Sequence, residues 1–388
     1  MKVEFFGYER PDGTVGVRNH VAIIPSVGCS NEVAHQISHL IRGTVALTHH
    51  QGCLTPPRDL DQVARALIGL GKNPNVAASL IVSLGCESVD PDEIADEIAK
   101  SGKPVELVKI QEEGGSIKAL AKGAEIAAKM ALEASKIRRK KVDASSLIVS
   151  TKCGASDTTS GISSNIAVGQ AADIVIKNGG TFILGEVCDI MGAENILAKR
   201  AVNENVREKV ITMVKNLSAL GEALSVDVVG TQLTGGNKRG GLSTVVEKAL
   251  GASVKGGTAP IQGVVKYGEK PPGRGLYLMP TPGHGFENLT GVAAAGSQLM
   301  LFTTGIGAPE GHPIMPTIKI CGNRETCNRL MSHIDVDVSQ IIEGTMAVED
   351  AGKKLYEEVL SVASGKLTKA EILNFDETME ILVHGPIM

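Results

Sequence analysis

The stretch VAIIPSVGCSNEVAHQISHLI, Val21 to Ile41, changes its period at a glycine. Val21 to Val27 is a short apolar, β-branched run, Asn31 to Ile41 carries a helical pattern, and Gly28-Cys29-Ser30 lies between them. The alternation continues, with strands expected at Thr44 to Thr48, Val76 to Leu84 and Val105 to Ile110, and helices at Asp59 to Leu70, Pro91 to Lys100 and Ser116 to Ser135. Apolar strands separated by helices predict an α/β fold: a Rossmann-like, mostly parallel sheet covered on both faces. The basic stretch KIRRKK, Lys136 to Lys141, reads as a solvated helix end and linker, so a first domain is expected over 1–140 and a second over 141–388.

The second domain begins with a strand at Ser146 to Ser150, another at Thr181 to Leu184, and helices near Ser163 to Lys177, Ala193 to Val202 and Asn203 to Leu224. From Gly235 the pattern changes. GGNKRGG, KGGTAP, TPGHGFENLTG and TTGIGAPEGHP punctuate short strands, as expected of a second, glycine-rich α/β domain with functional loops.

Composition narrows the function classes. The 388 residues carry 39 Lys+Arg against 43 Asp+Glu, with no Trp, 4 Tyr and 6 Phe, so neither a basic stripe nor stacking platforms for nucleic acid are available. No apolar run reaches the ~18 residues that cross a bilayer, and the N-terminus lacks a signal-peptide core. A cytoplasmic protein without a membrane partner is expected. Its seven cysteines, an odd number, read as thiols rather than a disulfide framework. No GxxxxGK[ST] occurs, and no GxGxxG follows a strand, which disfavours a nucleotide site.

Three strands end in one word, Ser-x-x-Cys: Ser26 to Cys29, Ser83 to Cys86 and Ser150 to Cys153. Such positions fall at the carboxyl edge of a parallel sheet, where open α/β proteins build sites. Cys53 follows another strand, on a loop with His49. Thiolates with Glu87 form a donor set that leans towards iron, although a cysteine at a strand end is also commonly a small buried hydrophobe. His49 is a candidate base or ligand, and His20 a candidate base or a structural histidine. KCGASDTTSGISSN, Lys152 to Asn165, gathers Ser156, Asp157, Ser160 and Asn165 at a strand-to-helix junction suited to a carboxylate and hydroxyls, or to an ordinary N-cap. Arg18, Asn19, Lys152, Asn237 and Lys255 complete the candidate substrate contacts.

These stretches, with GYERPDGTVGVRNH, SVGCSN, THHQGC, LGCE and FTTGIG, make the sequence resemble the altronate and galactarate dehydratase family over about residues 6 to 365. The resemblance is to the large catalytic portion. It implies a lyase that removes a proton beside a carboxylate and expels hydroxide from a sugar acid. In two-component relatives such as sulfolactate sulfo-lyase, the leaving group is sulfite. It further implies Fe2+, with Mn2+, Mg2+ or an iron-sulfur cluster as alternatives, and a separate SAF-type small subunit; self-association into a homo-oligomer is a further expectation. Carried over by motif, His49 and Asp157 are catalytic candidates beside His20, and Cys29, Cys53, Cys86, Glu87 and Cys153 metal candidates. Lys152 replaces a more usual glutamate, Ala155 a glycine, and Leu54 and Thr55 alter the cysteine loop. A non-catalytic metal- or acid-binding subunit is the alternative from another class.

Overall fold

Along Val21 to Ile24 the side chains alternate between two interiors: Val21 and Ile23 enter one core and Ala22 and Ile24 another. A strand buried on both faces must be covered on both, which is why the run is continuously apolar. The computed structural model describes residues 3–53, 55–223, 225–375 and 377–385; Leu54 and Leu224 lie outside them. In chain order the strands are β1 (Glu4–Glu9), β2 (Val15–Gly16), β3 (His20–Pro25), β4 (Thr44–Ala46), β5 (Val76–Ser83), β6 (Val105–Lys109), β7 (Lys140–Asp143), β8 (Ile148–Cys153), β9 (Thr181–Leu184), β10 (Ile261–Val264), β11 (Gly275–Leu278), β12 (Leu299–Thr304), β13 (Thr317–Cys321) and β14 (Val336–Asp337).

The expected α/β architecture is present. A four-stranded sheet has the order β4-β3-β5-β6 and a seven-stranded sheet the order β10-β11-β9-β8-β12-β13-β14, with every pairing in both parallel. Strand order reverses at β3/β5 in the first and at β8/β12 in the second. Ligand crevices form outside the carboxyl ends at such points. The stretch KIRRKK ends a helix and is exposed except at Arg139, but it is not a plain linker. Lys140 and Lys141 belong to β7, antiparallel to β1, and the Arg139 guanidinium donates to the Phe6, Val17 and Ala363 carbonyls at 2.7–2.8 Å. Its fork satisfies three main-chain acceptors, a structural role that charge counting does not reveal.

The two sheets share a core. Ala22 and Ile24 of β3 and Met300 and Phe302 of β12 belong to one cluster, with the helices Pro57–Lys72 and Gly285–Ala294 packed between them. These helices touch at Gly69, where a Cβ would meet the Ala294 carbonyl oxygen at 2.3 Å.

Two buried amides span the seam. Asn73 Nδ2 donates to the Ala293 and Ser297 carbonyls at 2.7 and 2.9 Å. Asn75 Nδ2 donates to the Gln298 and Ile314 carbonyls, both at 2.7 Å, while its Oδ1 accepts the Val17 and Arg18 N–H groups at 2.8 and 3.2 Å. Substituting Asn75→Ala is expected to strand four buried main-chain groups and cost about 3 to 5 kcal/mol. A urea midpoint within experimental error of wild type would contradict that assignment.

Candidate functional site

At the carboxyl edge of the seven-stranded sheet, β8 delivers Lys152 and Cys153, and the turn after β9 delivers Glu186 and Asp189. Glu186 has a φ of +70°, a conformation that L-residues rarely adopt and that surrounding structure must hold. Its carboxylate accepts the Cys153 N–H at 2.7 Å, lies 2.7 Å from Lys255 Nζ and 3.3 Å from Lys152 Nζ, and all three side chains are nearly inaccessible. Burial alone would raise the Glu186 carboxyl, but Lys255 and then Lys152 hold it well below the ordinary carboxylate range. Burial pushes the Cys153 thiol up to about 12, with Glu186 adding to the shift and Lys255 opposing it. The protonated thiol therefore donates to Asp189 Oδ2, 3.2 Å away. Lys248 Nζ sits 3.1 Å from Asp189 Oδ1 and donates to the Gln232 carbonyl at 2.7 Å.

This cluster opens on a cleft of about 1330 Å³, floored by Cys153, Ser156 and Asp189 and walled across the seam by Arg58 and Arg65 of the helix Pro57–Lys72. A smaller cavity of about 330 Å³ adjoins it, and Cys153, Ser156 and Lys248 line both. Asn237 also faces the cleft, with Nδ2 donating to the Ser156 carbonyl at 2.8 Å. Glu186 and Asp189 are not among the sequence-derived site candidates, whereas Lys248 is expected from the sequence to supply charge to an anion beside the glycine pairs. Glu186 and Asp189 are thus the additions. Their one sequence signal is an acidic turn, Gly185 to Asp189, following an apolar strand.

Several candidates have structural occupations instead. Lys152 does not reach the cleft as a substrate contact; it is buried against Glu186, as is Lys255. Asp157 accepts Thr159 Oγ1 at 2.6 Å and the Ser160 N–H and hydroxyl at 3.0 and 3.1 Å on Oδ1, and Asn323 Nδ2 at 2.8 Å on Oδ2. These donors hold it as a helix-start cap. Gly305 makes room for it, since a Cβ there would lie 2.0 Å from Asp157 Oδ1. Asn165 bridges the Gly251 carbonyl and the Thr303 hydroxyl.

Arg18, Asn19 and His20 stand at the amino end of β3, the opposite edge from the cleft. Arg18 forks onto Glu371 at 2.7 and 2.9 Å, and Asn19 bridges Arg10 and the Ala134 carbonyl. His49 sits at the carboxyl edge, but its Nε2 is 2.8 Å from the Pro25 carbonyl and its Nδ1 accepts the Gln51 N–H at 3.2 Å. Both ring nitrogens are thus spent on main chain, and no lone pair remains to act as a base. Burial lowers both His20 and His49 to about 4.

The thiols divide into two groups. Cys29, Cys53 and Cys86 follow β3, β4 and β5, three adjacent strands, whereas Cys153 lies in the other sheet and does not join them. The Gly28 N–H donates to the Gln51 carbonyl at 2.7 Å, Cys53 Sγ is 3.9 Å from the Cys86 carbonyl, and Gln111 donates to Cys86 Sγ at 3.5 Å. Desolvation raises the Cys53 thiol, and the neighbouring Cys86, Cys29 and Glu87 raise it further. Glu87 shares this edge but turns its carboxylate back onto the Ser26 hydroxyl and, at 2.7 Å, the Gly85 N–H. It closes a turn rather than facing the sulfurs.

Among the described residues, two groups bring three donors within 4.8 Å of one another: Cys153, Glu186 and Asp189, and His284, Glu287 and Glu380. Three ammonium groups already neutralise the first, so it suits an anionic ligand better than a cation. The second pairs His284 Nδ1 with Glu380 and Glu287 at 3.1 and 3.3 Å on the cleft rim.

Residues 7–135 match the family model described as D-galactarate dehydratase/Altronate hydrolase, second domain, and residues 144–384 that of D-galactarate/Altronate dehydratase, C-terminal. The chain is 40% identical over 375 residues to the (2R)-sulfolactate sulfo-lyase subunit beta of Chromohalobacter salexigens, covering 96% of each. It is 33% identical over 387 residues to the altronate dehydratase of Bacillus subtilis, covering 96% of this chain and 76% of that one. To the galactarate dehydratase (L-threo-forming) of Escherichia coli it is 32% identical over 387 residues, 93% of this chain and 73% of that one.

The two buried neutral imidazoles carry a pH prediction. A folded-state value near 4 against about 6.5 unfolded means that the unfolded chain binds the extra protons. His20 and His49 thus contribute stability in full above about pH 6.5 and lose it as pH falls towards 4. Urea titrations across that window should show stability falling with acid, and His49→Gln should flatten the slope; an unchanged slope would argue that His49 titrates normally.

Proposed function

Because the chain belongs to the D-galactarate/altronate dehydratase family, we propose that it is the catalytic large subunit of a lyase acting on a small hydroxy acid. It removes the proton beside the substrate carboxylate and expels a group from the adjacent carbon. The observation that carries this reading is the Asp189–Lys248 pair, a carboxylate and an ammonium 3.1 Å apart on the floor of the cleft. Asp189 takes the proton. Asp59, the other buried acid of the cleft, is occupied by the His384 and Gly385 N–H groups at 3.0 and 2.8 Å. The Lys248 ammonium faces the negative charge that develops on the enediolate, and the protonated Cys153 thiol steadies the second Asp189 oxygen.

As the enediolate collapses, its electron pair forms the carbon-carbon double bond and the leaving group departs with its own bond pair; the resulting enol then becomes the keto acid. In the broader reading the departing hydroxide takes up the proton held by Asp189 and leaves as water, restoring the carboxylate, and the substrate is a sugar acid of the altronate or galactarate kind. A second reading, a sulfonated hydroxy acid that loses sulfite, is favoured by the 40% identity over 96% of both chains. Arg58 and Arg65 on the facing wall suit a substrate with two anionic groups, which galactarate and sulfolactate have and altronate does not. The family resemblance implies a cation, and the soft donors Cys29, Cys53 and Cys86 fit iron, which when bound supplies Lewis-acid stabilisation of carboxylate and hydroxyl oxygens. A small subunit of the SAF type is the proposed partner. Among the described residues, no helix is long and apolar enough to cross a membrane.

A panel of altronate, galactarate and sulfolactate, assayed anaerobically with and without that subunit, tests the reading. Binding without turnover under every condition would favour a non-catalytic acid-binding subunit. Asp189→Asn is expected to lower kcat by about 10² to 10⁴-fold with KM little changed, and Lys248→Met to raise KM as well. Wild-type kcat in Asp189→Asn would remove that carboxylate from the chemistry.

A further inference from the structure

Each thiol at the carboxyl edge of the four-stranded sheet follows a glycine: Gly28-Cys29, Gly52-Cys53 and Gly85-Cys86. Gly85 has a φ of +117°, and a Cβ on Gly52 would find no heavy atom within 4 Å. The Gly28 and Gly85 N–H groups are already spent on the Gln51 carbonyl and the Glu87 carboxylate, so it is Gly52 that leaves main chain bare beside a sulfur, where a bulky, sulfur-rich ligand can approach. Cys29 and Cys86 also flank β3/β5, the point where strand order reverses, and both are exposed.

The surroundings of these thiols differ from those of Cys153. The groups acting on Cys53 are Cys86, Cys29 and Glu87, all acidic, whereas Cys153 has Lys255 to offset its acidic neighbours. Here three thiols follow three adjacent strands of one sheet. A single tetrahedral ion would hold its sulfurs about 3.8 Å apart, from metal–sulfur bonds of about 2.3 Å. The three sulfurs are not among the donor sets of the described residues that lie within 4.8 Å of one another, so as they stand they are spaced more widely than one such ion would hold them. The remaining cysteines, Cys153, Cys188, Cys321 and Cys327, are buried in the second domain and supply no fourth thiolate at this edge.

We infer that Cys29, Cys53 and Cys86 hold a [4Fe–4S] cluster through three thiolates, leaving one iron open to an oxygen ligand from outside the protein. The ligand class is the carboxylate and hydroxyl oxygens of a hydroxy acid. Cys53 stands just before the helix whose first turn places Arg58 and Asp59 in the cleft wall. The identity of the open-site ligand rests on the lyase reading. Presence of the cluster does not.

The test is anaerobic purification of the full chain, reconstitution with ferrous iron and sulfide, and measurement of iron, acid-labile sulfide and the electron paramagnetic resonance signal of the one-electron-reduced protein. About four iron and four sulfide per chain are expected. Cys29→Ser, Cys53→Ser and Cys86→Ser should each lose more than half of both, while Cys188→Ser keeps them; far-UV circular dichroism confirms that each variant is folded. One iron without sulfide, or full sulfide content in a folded variant lacking all three thiols, would overturn the inference. Adding the hydroxy acids of the panel should shift the resonance signal. A cluster in a protein that turns over none of them would defeat the lyase reading and leave this inference standing, and turnover by sulfide-free protein would do the reverse.

Discussion

The buried amide of Asn75 fixes how the two sheets sit against each other. It closes four hydrogen bonds to chain on either side of the seam, and Asn73, two residues away, adds two more from the same turn. An interior that satisfies each of these groups in one arrangement tolerates few others, because any slip would leave peptide groups dry and unpaired. The common core of β3 and β12 supplies most of the attraction, yet apolar contact is non-directional. The asparagines give it direction. Only with the sheets held in this relation does the helix Pro57–Lys72 present Arg58 and Arg65 to the far edge where Asp189 lies.

Two sheet edges of similar topology thus carry opposite chemistry. The smaller sheet ends in exposed thiols with acidic neighbours. The larger one ends in a thiol kept protonated, two carboxylates and three ammonium groups, with Lys152, Lys255 and Glu186 withdrawn from solvent. Buried ion pairs of this kind contribute little net stability, but removing one partner leaves an uncompensated charge. Their value here is positional: Glu186 fixes the Cys153 main chain and the two lysines, while Asp189 and Lys248 face the cleft.

Much of the scaffold was legible because period and punctuation are local. The strand Thr181–Leu184 and the helices Asn31–Leu40 and Ser116–Lys136 follow from runs of neighbouring residues. The site was less so, for reasons of distance. Ser-x-x-Cys recurs three times, yet Cys153 belongs to a different sheet, and no local pattern reports which sheet a strand joins. His49 looked available until Pro25, on the adjacent strand, took its Nε2. Lys152 looked like an anion contact until Glu186, from the next strand's turn, claimed its ammonium. Conversely, Gly185 to Asp189 carries no motif, and its acids matter only because β8 and β9 are neighbours.

The last stretch of chain described here has a consequence for assembly of the molecule. The Ile381 carbonyl accepts from Gln51, the Leu382 carbonyl from Gln62, and the N–H groups of His384 and Gly385 cap Asp59, all partners more than 300 positions earlier. This segment is a late strap across an early loop and helix. During synthesis on the ribosome the amino-terminal sheet can form well before its strap emerges, so the thiol-bearing loop lacks these contacts until residues 381–385 have been made. Closure of such long-range contacts is the slow step that topology imposes, and it leaves a window in which the loop is accessible before the strap secures it.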